Sequence, residues 1–404
     1  MKRTTKIIFF LSLFVVGRMM FDLSGCVNDD QIIAPVVQEE EVNSATDLVS
    51  VKVTTAPTID GTIDALWESI SVLEFSTVVP EVTGDVFRGY TGNIIPSVKL
   101  RSAYDNEFIY FLAEWADPTE SLARGQWYFN PTTKKWAQEK GTFDFDKATN
   151  GNVTKRDPFY EDKISMLWNI NKSVLDWNTA TCYKSCHTGL PAADGSSRHF
   201  TNFTTEKIDM WHWKSVRGGV NAANQIHDQF QDNTYPNGRK GDTGGTDVYL
   251  DNRLSIGGVV VGPKYVILNR EKNYWILNSE ITASTAKEVK AVDANGVLTF
   301  MDDTTLDPNV GTDYLRAGAN TAPKAIAGVT INDVGYGGTQ ADISCKAVWA
   351  NSKWTMEFKR KLAAPDATDV DFASLEDQYF GFAIFENAQI AHSIKPNLVL
   401  KFKK

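Results

Sequence analysis

Residues 98–115, VKLRSAYDNEFIYFLAEW, contain two apolar runs on either side of a short polar segment, Asp105-Asn106-Glu107. Aromatic and aliphatic side chains dominate both runs, which is typical of β-strands. Asp and Asn favour tight turns, because their side chains hydrogen-bond to nearby backbone groups. The stretch therefore predicts an antiparallel β-hairpin from Val98 to Trp115.

Runs of the same type recur along the chain, and Asn, Asp, Gly or Pro separates many of them. Besides the hairpin they are Lys163 to Ile170, Val259 to Leu268, Tyr274 to Ile281, Val297 to Met301, Ala347 to Trp349, Trp354 to Arg360, Tyr379 to Glu386 and Leu398 to Phe402. We therefore expect a mainly β fold, an antiparallel β-sandwich.

One segment breaks this rhythm. Residues 204–217 begin with Thr, a capping residue, and are followed by two glycines, so they predict a helix of about three turns. Such a helix places Met210 and Lys214 one turn apart on one face. Thr179 to Phe203 and Gly218 to Asp251 are rich in Gly, Asn and Asp and predict long loops. Loops of this length usually carry function, so we expect the site among these loop and helical insertions.

The N-terminus predicts export. Lys2, Arg3 and Lys6 precede a short apolar run, which is typical of a signal peptide. The run ends in Leu-Ser-Gly-Cys26, which resembles a bacterial lipobox, so we expect residues 1–26 to form a lipoprotein signal and Cys26 to be lipidated. A plain secretory signal with an incidental Cys26 is the alternative. Residues 27–48 are polar and acidic and predict a flexible tether. The expected location is the cell envelope of a Gram-negative bacterium, periplasmic or at the outer membrane.

Charge and length limit the remaining possibilities. The chain has 404 residues and a formal net charge of −9 at pH 7. A nucleic-acid-binding surface has to be basic, so this charge argues against nucleic acid as a partner. Residues 49–404 are long enough for one large domain with a substantial core.

Two cysteines and a histidine form the most informative short motif. Cys182, Cys186 and His187 have the spacing C-x-x-x-C-H. Covalent haem attachment usually uses C-x-x-C-H, in which two thiols add to the vinyl groups and the histidine ligates the iron. A local disulfide is the main rival interpretation, and a zinc site is weaker because thiolates are oxidised outside the cytoplasm. Cys345 lies in a strand-like run and predicts a buried thiol.

Several segments together resemble the haem-binding domain of the ethylbenzene dehydrogenase gamma subunit family, also described as the cytochrome c-552/dimethylsulfoxide reductase-like haem-binding domain. They are Ala56 to Gly61 with Trp67, Tyr104 to Leu112, Trp115 to Thr119, Glu161 to Trp168, the cysteine motif, Asp209 to Lys214, Phe358 to Leu362, and Phe382 to Phe385 with His392. They follow one another over nearly the whole chain after the signal.

This resemblance implies one haem b, held in a β-sandwich between a methionine and a lysine. Met166 and Lys214 are the matching positions, with His187 as the alternative ligand if the cysteines attach haem c. Burial would leave the lysine amine neutral and able to ligate iron. If His187 is one ligand, Met166, Lys214 or His212 could be the other, although His212 lies between two tryptophans and is more often a packed residue than a ligand. Arg217 would be available for a haem propionate. Trp168, Trp211 and Trp213 would then wall the macrocycle.

The main functional hypothesis is therefore a haem-binding electron-transfer protein that serves a redox partner protein and is held at the membrane by its lipid anchor. No nucleophile-base pair or paired-carboxylate motif stands out, so we do not expect an enzyme. The alternative is a carbohydrate-binding lipoprotein without haem, because residues 57–67 also resemble family-nine carbohydrate-binding modules. Trp127, Trp136 and Trp177 would then be surface platforms for sugar rings.

Overall fold

A computed structural model describes residues 46–80, 94–139, 143–145, 153–155, 159–186, 199–234, 238–316, 318, 321–389 and 392–404. The predicted signal peptide, Cys26 and nearly all of the predicted tether lie outside these residues, as does His187. None of the helices in the described part of the chain is long and apolar enough to cross a membrane.

Short strands dominate the described residues. In chain order they are β1 (Asp47–Lys52), β2 (Leu73–Phe75), β3 (Val98–Tyr104), β4 (Phe108–Ala116), β5 (Trp127–Asn130), β6 (Lys135–Gln138), β7 (Phe143–Phe145), β8 (Val153–Lys155), β9 (Lys163–Asn169), β10 (Ile208–Lys214), β11 (Gln225–Gln231), β12 (Arg239–Gly241), β13 (Tyr249–Asp251), β14 (Leu254–Ile256), β15 (Val259–Gly262), β16 (Tyr265–Val266), β17 (Ile276–Leu277), β18 (Lys287–Val292), β19 (Leu298–Phe300), β20 (Thr305–Leu306), β21 (Val329–Ile331), β22 (Ile343–Ala350), β23 (Lys353–Lys361), β24 (Gln378–Phe385) and β25 (Ser393–Lys403). The helices are α1 (Ala65–Glu68), α2 (Trp177–Ala180) and α3 (Asn278–Thr282).

The main sheet closes on itself. Its strands pair in the order β1-β25-β24-β9-β10-β11-β22-β23-β4-β3, and β1 also pairs with β3. All these pairs are antiparallel except those of β1. The β11–β22 pairing spans only two residue pairs, Gln225–Ser344 and Ile226–Ile343. The fold is thus mainly β, as predicted, and the sandwich is joined at its edges into a flattened barrel.

Aromatic residues fill the interior between the two halves of this barrel. Phe111 stacks on Phe358 with ring centroids 4.9 Å apart, and Trp168 stacks on Phe380 at 4.6 Å. Such pairs contribute roughly 0.5–1.5 kcal/mol beyond the burial of their area. These aromatic pairs explain why so many aromatic residues occur at alternate positions of the strands.

The predicted hairpin is confirmed. Val98 opposes Trp115 and Tyr104 opposes Ile109 across β3 and β4. The Asp105 carboxylate closes the turn, because it accepts hydrogen bonds from the backbone N–H groups of Glu107 and Phe108 at 2.8 and 2.7 Å.

The predicted helix at residues 204–217 is wrong, because residues 208–214 form β10 in the middle of the main sheet. The alternation that marks a strand is hidden, since all seven residues are buried on one face or the other. The aromatic residues Trp211 and Trp213 favour strands, and this preference prevails over the capping pattern.

The prediction of a loop from Gly218 to Asp251 is also wrong in part. Residues 225–231 form β11, which pairs with β10 and has polar side chains at alternate positions. The predicted strand Tyr274 to Ile281 is only the short β17, which runs directly into α3. At the N-terminus Asp47 and Leu48 already belong to β1, and Leu48 is fully buried, so the folded domain begins before residue 49.

Candidate functional site

The two faces of the β9–β10 pair decide which predicted ligands can meet. Met166 opposes Trp211, whereas Lys163 opposes Lys214. Opposed residues of an antiparallel pair share a face, and successive residues alternate between faces. Met166 therefore points into the barrel interior and Lys214 to the outer face of the sheet. The structure does not bring the predicted ligand pair together.

The predicted haem-walling tryptophans are also on the inner face. Trp168, Trp211 and Trp213 pack in the aromatic core with Met166, and none of the four is more than 1% exposed. Their role is to fill the barrel. The prediction that they line a cofactor pocket is not supported by this placement.

The outer face of the same strands carries a pocket, which we call the outer pocket. The segment with α2 and the two cysteines covers it. Its lining is apolar with a few soft or basic side chains: Ser165, Leu167, Cys182, Cys186, His199, Met210, Gly381, Phe382, Ala383, Phe385, His392 and Ile394. The structure thus brings the cysteine motif to one face of β10.

Cys182 and Cys186 lie on one turn, since the backbone N–H of Cys186 donates to the carbonyl of Cys182 at 3.0 Å. Within the described residues no disulfide joins them. Burial raises the pKa of the Cys182 thiol to about 12, so it is protonated at neutral pH. A buried, protonated thiol does not bind a metal as a thiolate, so this environment does not favour a metal site at Cys182. Cys345 is buried in the barrel core, as predicted.

Met210 is the methionine that faces the outer pocket. Its side chain is 3% exposed, and its Sδ accepts a hydrogen bond from Gln231 Nε2 at 3.3 Å. A thioether is a soft ligand for haem iron. Met210, and not Met166, is therefore the methionine that lines the outer pocket.

His212 lies two residues further along β10 on the same face and is 5% exposed. Its Nδ1 is 3.3 Å from Gln229 Oε1, an acceptor, so Nδ1 carries the proton. Burial and the charges of Lys214 and Lys163 lower its pKa well below the usual value. No hydrogen-bond partner reaches Nε2 among the described residues. A neutral imidazole with an unoccupied lone pair is able to ligate a metal, and His212 is also packed as predicted, at 5% exposed.

Lys214 ends β10 and is 5% exposed. Burial, and then the positive charges of Arg217 and Arg239, lower the pKa of its amine well below the usual value. Its Nζ lies 2.8 Å from Nδ1 of His227, and Nε2 of His227 lies 2.8 Å from Gln340 Oε1. Gln340 Nε2 in turn donates to the carbonyl of Asp242 at 3.0 Å.

This chain of hydrogen bonds fixes the protons. Because Gln340 presents its oxygen, His227 carries a proton on Nε2 and accepts from Lys214 at Nδ1. A neutral Lys214 amine that donates one hydrogen bond keeps its lone pair for a ligand. The surroundings of Lys214 are thus compatible with the predicted neutral amine, although Lys214 lies on a strand and not on the predicted helix.

Arg217 is engaged elsewhere. Its Nε donates to Glu161 Oε1 at 2.5 Å, and its Nη1 donates to Tyr249 Oη at 3.2 Å. Glu161 is fully buried and also accepts from the backbone N–H of Val216. Arg217 thus holds the turn after β10, and this pairing does not support its predicted role at a haem propionate.

The three tryptophans predicted as sugar platforms are buried. Trp127, Trp136 and Trp177 are 3%, 6% and 4% exposed. Each indole N–H donates to a backbone carbonyl: those of Asn252, Gly296 and Tyr379 respectively. Their rings are not available for stacking on a sugar.

The sequence analysis missed β11 as part of the site. His227, Gln229 and Gln231 point to the outer face and contact Lys214, His212 and Met210 respectively. Four of the five residues from 227 to 231 are polar, which hides the strand period in a stretch judged to be a loop.

The fold and this face define a closed antiparallel β protein with a buried, donor-rich pocket outside its core. The chain belongs to the family described as ethylbenzene dehydrogenase, whose model matches residues 64–396. No curated protein matches it.

Two similar solved structures are a family 9 carbohydrate-binding module from Caldicellulosiruptor kristjanssonii in complex with glucose and a putative carbohydrate-binding protein from Bacteroides uniformis. The first has 9% identity and a TM-score of 0.29, and covers 89% of this chain and 96% of that chain. The second has 8% identity and a TM-score of 0.29, and covers 89% and 99%. At such low TM-scores the similarities give no information on what this chain binds.

Proposed function

We propose that this protein binds haem in the outer pocket and transfers single electrons, without substrate chemistry of its own. The observation that carries the proposal is the outer face of β10, where Met210 lines the pocket, His212 and Lys214 follow it on the same face, and all three are at most 5% exposed. These are the thioether, imidazole and amine donors that haem iron accepts. The family supports the same function.

Two properties of these residues suit haem: the nitrogen donors are neutral, and the pocket lining is apolar. Burial and neighbouring positive charges keep His212 and Lys214 neutral, which leaves their nitrogen lone pairs available. Leu167, Phe385 and Ile394 provide an apolar lining. Bound haem would supply a one-electron iron couple.

Two parts of the chain would supply donors to the iron. Met210, His212 or Lys214 would supply a donor from β10, and His199, which also lines the pocket, would supply another. His187 follows Cys186 in the sequence and would be the alternative donor if haem is attached covalently. Cys182 and Cys186 would attach haem covalently if their thiols add to its vinyl groups.

The proposed setting follows from the N-terminus. Lipidation of Cys26 would hold the protein at a membrane of the cell envelope, and the tether would let it reach a redox partner protein. The net charge of −9 favours a partner with a basic surface.

The test is an absorption spectrum of the full chain from a host competent in cytochrome maturation, oxidised and dithionite-reduced, with pyridine haemochrome analysis and acid-acetone extraction. Haem that survives extraction indicates attachment through Cys182 and Cys186, and haem that is extracted indicates type b. In the first case Cys182→Ser should abolish full attachment, whereas the control Cys345→Ala, in the core, should leave it unchanged. A colourless protein that takes up no added hemin would overturn the proposal and leave the carbohydrate-binding alternative.

A further inference from the structure

A second polar cluster lies on the inner face of β10 and β11, where the barrel is least well closed. The β11–β22 pairing ends at Ile226, so no backbone ladder joins these strands at Asp228. Here Asp209 of β10, Asp228 of β11 and Asp369 of the segment before β24 bring one carboxylate oxygen each within 4.8 Å of one another. All three side chains are buried, with exposures of 0%, 0% and 3%.

The carboxylates of this cluster are oriented by their outer oxygens. Oδ2 of Asp209 accepts from Nη1 of Arg360 at 3.0 Å and from the N–H of Val370 at 2.9 Å. Oδ2 of Asp369 accepts from the N–H of Asp366 at 3.2 Å. Both residues thus turn their other oxygen toward the middle of the cluster.

Two of these carboxylates have oxygens without a donor. Oδ1 of Asp209 and both oxygens of Asp228 have no hydrogen-bond partner among the described residues, whereas Oδ1 of Asp369 lies 3.4 Å from Nη2 of Arg360. A fully buried carboxylate with no donor at all, as at Asp228, is costly unless a proton or a cation compensates it. The hydrogen bonds to Asp209 and Asp369 show that the cluster is built, and Asp228 is the unpartnered group aimed into it.

Charge in this region is far from balanced. Asp342 lies close by, so four carboxylates, those of Asp209, Asp228, Asp342 and Asp369, act on one guanidinium, that of Arg360, and Asp242 lies near three of them. Either bound protons or a bound cation must offset the excess.

We propose that Asp209, Asp228 and Asp369 bind a calcium ion that joins β10 and β11 to the segment before β24 across the gap in the barrel. Calcium takes oxygen ligands at about 2.3–2.6 Å, so one ion can bridge oxygens within 4.8 Å of one another. A donor set of carboxylates alone favours such a hard cation over zinc or copper. The site lies on the opposite face from the outer pocket and does not depend on haem.

The rival account is a network of carboxyl groups that share protons around Arg360. The two differ in a measurable way. A calcium site stabilises the fold in proportion to the logarithm of free calcium, whereas shared protons make stability depend on pH and not on the metal.

The experiment uses the full chain, stripped with EGTA and titrated with CaCl2 in a calorimeter. We expect one calcium ion per chain and a melting temperature that rises with calcium. Asp228→Asn, which keeps the shape and removes the charge, should weaken calcium binding by at least about tenfold. The matched control Asp377→Asn removes an exposed carboxylate nearby and should bind calcium like the wild type.

A second measurement does not require the variant to fold. Elemental analysis of the wild type purified without chelator should find calcium at about one ion per chain, and EGTA should lower its melting temperature. The proposal is overturned if the wild type contains no calcium and neither calcium nor magnesium produces heat or a change in melting temperature. Equal calcium affinity in the wild type and in Asp228→Asn would overturn it as well.

Discussion

Glu161→Gln removes the charge that holds the turn after β10. Glu161 is fully buried and accepts hydrogen bonds from the side chain of Arg217 and from the backbone N–H groups of Val216 and Arg217. A second guanidinium, that of Arg124, lies 3.6 Å away. Glutamine preserves the shape but leaves the mostly buried Arg217 without a counter-charge, while Arg124 keeps Asp251 at 3.1 Å.

The expected loss follows from that geometry. Breaking a buried ion pair from one side costs about 3–5 kcal/mol, because the remaining charge stays buried without a partner. With an unfolding entropy of about 2.1 cal/mol/K per residue, a domain of roughly 360 residues has about 0.75 kcal/mol/K. The melting temperature should therefore fall by about 4–7 °C, measured by calorimetry at pH 7. The control Glu288→Gln removes a half-exposed partner of Lys264 and should cost less than about 1 kcal/mol.

The acid side of the stability curve gives a second readout. Burial alone would raise the pKa of Glu161, but the charges of Arg217 and Arg124 outweigh it and lower the pKa. The stability that this carboxylate contributes is thus complete above its unfolded pKa and is lost as the pH falls through the lower folded value. Glu161→Gln should remove this part of the pH dependence. A loss no larger than that of Glu288→Gln, with an unchanged acid slope, would refute the reasoning.

Two further predictions concern packing. Trp136→Ala should lower the free energy of unfolding by about 3–5 kcal/mol in a denaturant titration. Trp136 is 6% exposed and packs with Phe129 and Tyr314 in a hydrophobic cluster separate from the barrel core, so unchanged stability would contradict its burial. Gly219→Ala should destabilise the turn that follows Lys214, since an added Cβ would lie 2.5 Å from the Lys214 carbonyl oxygen and from Trp213 Nε1; a variant with wild-type melting temperature would show that this turn is not as tight as described.

The strand content of this fold could be predicted from the sequence, because the hairpin at residues 98–115 and the runs at β9, β23 and β24 show strong β preference. β10 could not be recognised, since both of its faces are covered and its period is masked. β11 could not be recognised either, because its outward residues serve a polar site.

The sequence could predict which types of residue form the site, but not which residues lie on the same face of the sheet. Cys182, Cys186 and Lys214 do lie on the same side of the main sheet, but of these only the cysteines line the outer pocket. Which methionine joins them depends on strand register, and a shift of one residue exchanges the two faces. Register between β9 and β10 is fixed by core packing of residues such as Trp168 and Trp211, which sequence spacing alone does not reveal. The acidic cluster brings together residues as far apart in the sequence as 209 and 369, so the sequence alone could not predict it either.

The most direct test of the central claim compares Met210→Leu with Met166→Leu in reduced-minus-oxidised absorption spectra and in titrations with hemin. Both substitutions are close in volume and should cost less than about 1.5 kcal/mol, so both proteins should fold. If haem lies on the outer face of β10, Met210→Leu shifts the spectrum or weakens hemin binding and Met166→Leu leaves both unchanged. A spectrum that responds to Met166→Leu and not to Met210→Leu would contradict the placement of the cofactor outside the barrel core.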